Sequence, residues 1–182
     1  MLRIVAGKYR SRIIEQPSKS STRPTIDKVR EAIFSSIHFE LDGAEVLDLF
    51  AGSGSFCLEA LSRGAAFATC IEKDYDAYKI IQKNALSLGE TKINILNVDA
   101  IYFLENNASK KWKFIYLDPP FASKELLKQC IKLISDSSLL LTNGKVIVET
   151  DAANLELETE KLAIVKCKKY GRIYIYYLTY KG

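Results

Sequence analysis

Histidine is nearly absent from this 182-residue chain, where His38 stands alone. The four cysteines, Cys57, Cys70, Cys130 and Cys167, are scattered and form no Cys-x-x-Cys pair. These absences leave a zinc site with almost no ligands, and no metal is expected. The scattered cysteines read as buried thiols kept reduced in a cytoplasm rather than as a disulfide framework. No run of 18 apolar residues occurs, which argues against a membrane-spanning helix. The opening Met-Leu-Arg-Ile-Val-Ala-Gly-Lys lacks the apolar stretch of a secretory signal, so a cytoplasmic location is expected. Internal repeats and low-complexity linkers are missing too. What is present suits one ordinary domain: 48% hydrophobic residues for a core and 26% charged residues for solubility.

Acids are scarce at both ends. Residues 1–30 hold eight Lys/Arg against Glu15 and Asp27, a balance of +6, and residues 161–182 hold six Lys/Arg and no acid, again +6. The 130 residues between them sum to −8, so the overall +4 hides an acidic body with basic termini. Clustered cations displace counterions from phosphates, which suggests a polyanion gripped by the ends. Solvated charge on surface strands is the plainer alternative.

From residue 45 onward, strand-like and helix-like stretches alternate. Strands are expected at Glu45–Phe50, Phe67–Ile71, Ile93–Asn97, Lys113–Leu117 and Lys145–Glu149, the last introduced by a turn at Thr142-Asn143-Gly144. Helices are expected at Ser55–Arg63, Asp74–Leu88, Ala100–Asn106 and Lys124–Leu133, with Gly64 and Gly89 closing the first two. Apolar strands separated by helices imply a parallel sheet with right-handed crossovers. The rhythm breaks at the end, where Leu162–Lys168 and Arg172–Tyr180 are joined by a short turn at Tyr170-Gly171, which demands an antiparallel hairpin. The sum is an α/β, Rossmann-like, seven-stranded and mostly parallel sheet, similar to class I methyltransferases in its order 3-2-1-4-5-7-6, with the last strand antiparallel. The Tyr174, Tyr176, Tyr177 and Tyr180 stripe reads as strand packing. Residues 1–40 form a basic appendage: a hairpin of Arg3–Ala6 and Arg12–Glu15 around Gly7-Lys8, then a helix from Ile26 to Ile37 capped by Thr25. Residues 41–182 are expected to form the second unit, which carries the sheet.

The segment Leu47-Asp48-Leu49-Phe50-Ala51-Gly52-Ser53-Gly54 sets two glycines where the first sheet strand turns into a helix, allowing a ligand close to the backbone. The dinucleotide pattern GxGxxG fails because residue 57 is cysteine, which weakens a nicotinamide reading. Asp48, Glu72 and Asp99 fall at the ends of the first three strands of the sheet. Their expected tasks are to face an amino-bearing ligand, to accept ribose hydroxyls and to take an adenine amino group, respectively. Taken singly, each could be a helix cap or a solvated terminus. In order along one carboxyl edge they suit S-adenosylmethionine, a nucleoside without a pyrophosphate.

At the fourth strand end stands Asp118-Pro119-Pro120-Phe121. A nucleobase amino group is a poor nucleophile because its lone pair is delocalised. A carboxylate and a fixed carbonyl that accept its hydrogens favour a pyramidal nitrogen. The prolines fix φ and lack N–H, so the Pro119 carbonyl is held as an acceptor, and Phe121 offers a stacking face. A paired base must first be flipped out.

The segments RIVAGKYRSR, TRPTIDKVREAIF, VLDLFAGSGSFCLEALSRGA, IEKD and LDPPF, in that order, resemble the RsmD family over nearly the whole chain. Its members are bacterial 16S ribosomal RNA guanine-N2 methyltransferases. Phe121 stands where tyrosine is common, and Phe56 where a small or aliphatic residue often follows the glycines. By this resemblance Asp48, Gly52, Gly54, Glu72 and Asp99 bind the cofactor, with Ala51, Ser53, Lys73 and Ala100 beside them. Asp118, Pro119, Pro120 and Phe121 position the guanine, and Thr22–Thr25 lies near the active-site mouth. Arg10, Arg12, Arg23, Lys28 and Arg30 are the expected RNA contacts of the N-terminal segment. On physical grounds Lys168, Lys169 and Arg172 join them, because the penultimate strand should run parallel to the core and point its carboxyl end at the cofactor edge. The expected partner is 16S ribosomal RNA within an assembling or assembled small subunit, met by a monomer. A DNA adenine-N6 methyltransferase could use the same tetrapeptide but needs a larger target-recognition region. A non-catalytic RNA-binding or ribosome-assembly protein on this fold is the other alternative.

Overall fold

The computed structural model describes residues 2–17, 24–107 and 109–182, and for residues 24–26 the backbone alone. Among the described residues nine strands and five helices follow in chain order. They are β1 (Leu2–Arg3), β2 (Ile13–Ile14), α1 (Pro24–Leu41), β3 (Glu45–Asp48), α2 (Ser55–Ser62), β4 (Phe67–Ile71), α3 (Tyr75–Leu88) and β5 (Ile93–Leu96). Then come α4 (Ala100–Asn106), β6 (Trp112–Leu117), α5 (Lys124–Asp136), β7 (Leu140–Thr150), β8 (Leu162–Tyr170) and β9 (Ile173–Tyr180).

Strands β3 to β9 form one sheet in the order β5-β4-β3-β6-β7-β9-β8, which is 3-2-1-4-5-7-6 when counted within the sheet. The first five are parallel, and β9 runs antiparallel to both β7 and β8. This is the Rossmann-like class I methyltransferase arrangement expected from the sequence. Because β9 reverses twice, β8 runs with the parallel strands, and its carboxyl end lies on the same edge of the sheet as theirs.

Apolar side chains pack on both faces. One layer joins Val46, Phe114 and Ile147 to Phe56 and Leu61, and the other joins Leu47, Ile115 and Val148 to Leu104, Ile131 and Ile134. Burying each such side chain contributes about 1.5–3 kcal/mol. Helix α1 enters the first layer through Val29, Ile33, Phe34, Ile37 and Leu41, so it completes the core rather than hanging from it. Leu2, Ile4 and Ile14 from the N-terminal hairpin cover Leu58, Ala85 and Leu88.

Three local expectations change. Helix α1 begins at Pro24, a residue suited to the first helical position, so Thr25 lies inside the helix and does not cap it. No turn interrupts 142–144, because β7 runs through it with a register shift in which two steps along β6 meet five along β7. Gly144 serves close approach instead, since a Cβ there would sit 2.9 Å from the Lys113 carbonyl oxygen. Cys57, Cys70 and Cys130 are buried thiols, whereas Cys167 is exposed on β8.

Candidate active site at the carboxyl edge of the sheet

The chain leaves β3 through Asp48 and turns at Gly52 (φ 54°) and Gly54 (φ 77°), both in the left-handed region. A Cβ on Gly54 would lie 2.8 Å from the Ile81 side chain, so glycine also lets α3 pack against this turn. The Gly52 amide donates to Glu72 Oε2 at 2.8 Å, while Glu72 Oε1 accepts from the Asp74 amide at 2.8 Å. Glu72 therefore clamps the glycine turn to the end of β4, with further lone pairs left for a ligand. The buried Asn84 braces the same turn by donating to the Ser53 and Glu15 carbonyls and accepting from the Glu15 amide. Asp99 caps α4 through Oδ1, at 2.9 Å from the Ile101 amide.

Two cavities open along this edge. The larger, about 660 Å³, is lined by Glu72, Lys73, Asp99, Ala100, Pro119, Pro120 and Phe121, among others. The smaller, about 190 Å³, is lined by Asp48, Ala51, Gly52, Ser53, Arg30, Tyr116 and Glu149, among others. Phe50 and Asp118 line both. The expected cofactor residues thus divide between two adjoining cavities, except that Gly54 lines neither and shapes the turn beneath them. Phe121, 40% exposed, stands at the larger one.

Negative charge concentrates where the cavities adjoin. Asp48 is 2% exposed and, among the described residues, accepts one hydrogen bond, from the Phe50 amide at 3.0 Å. Burial pushes its carboxyl up to about 7 against that bond, and the charges of Glu72 and Glu149 add to the rise. Asp118 accepts no hydrogen bond from any described residue. Half-buried at the cavity wall, it is held well above the usual carboxylate range by desolvation, then by the charges of Glu149 and Asp48. Glu149 is raised by burial and partly restored by the Tyr116 hydroxyl, which donates to its Oε2 at 2.7 Å. Among the described residues no group of carboxylates, histidines and cysteines could hold a metal ion.

The expected RNA contacts separate. Lys168, Lys169 and Arg172 are exposed around the β8–β9 turn, on the cavity edge of the sheet. Lys28 is exposed on α1. Arg10 and Arg12 are exposed in the hairpin loop, but this loop docks at the far ends of α2 and α3. There the Lys8 amide donates to the Ser62 carbonyl and Arg12 donates to the Ser87 carbonyl. Arg30 differs from its expected surface role. It is 6% exposed, donates to the Arg3 carbonyl and Asp27, and lies 3.9 Å from Glu59. Arg23 and Thr22 lie outside the described residues, as do the side chains of Pro24 and Thr25.

Sequence reasoning missed Glu149 and Tyr116 of the site, and also Glu59, which is fully buried and accepts from the Val5 and Ala6 amides and from Arg63. The only available signal for Glu149 was its place at the end of the fifth strand of the sheet, beside Asp118.

The family described as Conserved hypothetical protein 95 matches residues 2–179. Ribosomal RNA small subunit methyltransferase D of Escherichia coli is 35% identical over 170 residues, covering 89% of this chain and 85% of that protein. The protein of the same name from Haemophilus influenzae is 32% identical, covering 93% and 89%. The solved structure of yhhF from Escherichia coli superposes with a TM-score of 0.89 at 31% identity, covering all of this chain and 98% of that one.

Proposed function

The chain belongs to the Conserved hypothetical protein 95 family, the family of RsmD, and on that premise we propose that it methylates the exocyclic N2 amino group of a guanine in 16S ribosomal RNA, with S-adenosylmethionine as donor. One observation carries the reading. Asp118, free of hydrogen bonds from the described residues, lines both cavities at the carboxyl edge, so a methyl donor and an acceptor nitrogen can meet over one carboxylate.

The residues fit the donor. Glu72 retains lone pairs for ribose hydroxyls after clamping Gly52, and Asp99 keeps Oδ2 for an adenine amino group after capping with Oδ1. Asp48 faces the smaller cavity as a buried acid matched to an ammonium group, beside the backbone of Ala51, Gly52 and Ser53. Lys73 and Ala100 complete the wall of the larger one. When bound, S-adenosylmethionine supplies an electrophilic methyl group on a sulfonium.

Every other step belongs to this chain's residues. A base turned out of its stack lies against the Phe121 ring. Asp118 and the Pro119 carbonyl accept the two amino hydrogens and direct the nitrogen lone pair at the methyl group, and this alignment supplies most of the rate. As the C–N bond forms and the C–S bond breaks, nitrogen becomes positive and sheds a proton to Asp118 or to water. A carboxyl held above its ordinary range by burial and by Glu149 is well suited to accept it.

RNA approaches the cavity edge, where Lys168, Lys169 and Arg172 meet phosphates, with Lys28, Arg10 and Arg12 of the first 40 residues contributing more remotely. The substrate is a small-subunit particle met by a monomer in the cytoplasm. Transfer of radiolabelled methyl groups to small subunits from a strain lacking this gene, to naked 16S RNA and to duplex DNA tests the proposal. Label in the subunits is expected. Label in DNA adenine alone, or in none of the three, would sink it.

A further inference from the structure

Adenine and guanine both carry an exocyclic amino group that Asp118 could accept, so another side chain must tell them apart. Strands β6 and β7 are parallel neighbours with Leu117 opposite Val148, so the next step sets Asp118 beside Glu149. Registered residues on parallel strands point to the same face. Tyr116, two residues before Asp118, shares that face, and its hydroxyl donates to Glu149 Oε2 at 2.7 Å. The Tyr116 ring is itself pinned by Phe56, stacked with ring centroids 4.1 Å apart and planes 5° apart. Glu149 is 7% exposed, lines the smaller cavity with Asp118, and has no donor for Oε1 among the described residues. A buried carboxylate with a fixed, open oxygen is primed for a donor from a ligand.

We propose that Glu149 determines base specificity by accepting the N1–H of the target guanine through Oε1, while Asp118 accepts from the neighbouring N2 amino group. Guanine presents two adjacent donors on this edge, matching two adjacent carboxylates. Adenine presents an acceptor, N1, beside its amino group, and sets it against the Glu149 oxygen. A buried polar group left unpaired, or faced by its like, rejects the wrong ligand strongly. The inference deepens the guanine-N2 reading and rests on it.

The test compares wild type, Glu149→Gln and Glu149→Asp on small subunits assembled from transcribed 16S RNA carrying guanine or adenine at the methylated position. S-adenosylhomocysteine binding is measured by calorimetry alongside. In Glu149→Gln, the Tyr116 hydroxyl holds the amide oxygen and turns the amide nitrogen to the cavity, where it opposes guanine N1–H and suits adenine N1. Its kcat/KM on guanine is expected to fall about 100-fold, with the guanine-to-adenine ratio narrowed at least about tenfold and S-adenosylhomocysteine affinity within about twofold of wild type. Glu149→Asp keeps the preference for guanine at reduced kcat/KM. An unchanged ratio in Glu149→Gln overturns the proposal. So does a loss of S-adenosylhomocysteine affinity in step with rate, which would assign Glu149 to the amino-acid end of the cofactor. If wild type leaves the guanine-bearing subunit unmethylated, the underlying reading fails, independently of Glu149.

Discussion

The two halves of the carboxyl edge handle their carboxylates in opposite ways. At β4 and β5, Glu72 and Asp99 are tied to backbone amides, through Gly52, Asp74 and Ile101, so the acids that face one cavity also build the loops around it. At β6 and β7, among the described residues, Asp118 accepts nothing and Glu149 accepts only from the Tyr116 hydroxyl, and both are raised by desolvation. The first half is satisfied before a ligand arrives and can act as a rigid template. The second is desolvated and short of donors, a lack that a donor-rich base would make good. Asp48 on β3 lies between them, with one amide bond and a carboxyl pushed up to about 7.

The sharpest way to break this contrast is Asp118→Ala. Methyl transfer is expected to fall about 10³-fold or more while cofactor affinity, read by calorimetry, stays near wild type. Equal loss of both would erase the division. Glu72→Ala should do the reverse, weakening cofactor binding by about 10²-fold. Because Glu72 also holds Gly52, thermal unfolding should show a loss of about 1–2 kcal/mol. Next in size, reversing Lys168, Lys169 and Arg172 to glutamate should raise KM for small subunits about tenfold and flatten its salt dependence, leaving cofactor affinity alone.

Asp48 gives the most diagnostic effect. Its folded-state value of about 7 exceeds its ordinary 3.8, so the folded protein holds a proton that the unfolded chain releases. The contribution to stability is therefore present below about pH 4 and lost as pH rises towards 7. Asp48→Asn should stabilise the ligand-free protein at pH 8 by about 1–3 kcal/mol in denaturant titration, yet weaken cofactor binding. In wild type, affinity for a cationic cofactor should rise several-fold from pH 6 to pH 8, with proton release seen as a buffer-dependent enthalpy.

Most of the edge was legible because its acids sit at strand ends, and strand ends follow from the alternation of apolar runs and helices. Asp48, Glu72, Asp99 and Asp118 were readable on that ground, and the hairpin turn at Tyr170-Gly171 predicted the direction of β8. Glu149 was not readable, because an acid closing Lys145–Glu149 looks like any polar strand terminus until the sheet order sets β7 against β6. Glu59 and Arg30 were hidden for a related reason. Each occupies a helix position that reads as solvent-facing until the N-terminal hairpin covers it, whereupon Glu59 accepts from the Val5 and Ala6 amides and Arg30 donates to the Arg3 carbonyl. The turn expected at Thr142-Asn143-Gly144 failed because Gly144 answers a tertiary contact with Lys113 and Leu140. Local turn chemistry carries no trace of it.

The most direct measurement is the identity of the methylated nucleoside. Small subunits lacking this modification, incubated with the protein and S-adenosylmethionine, are digested to nucleosides and analysed by mass spectrometry. One N2-methylguanosine per particle is the predicted result. N6-methyladenosine in its place, or no methylated nucleoside at all, would contradict the assignment of Asp118 and Glu149 to a guanine edge.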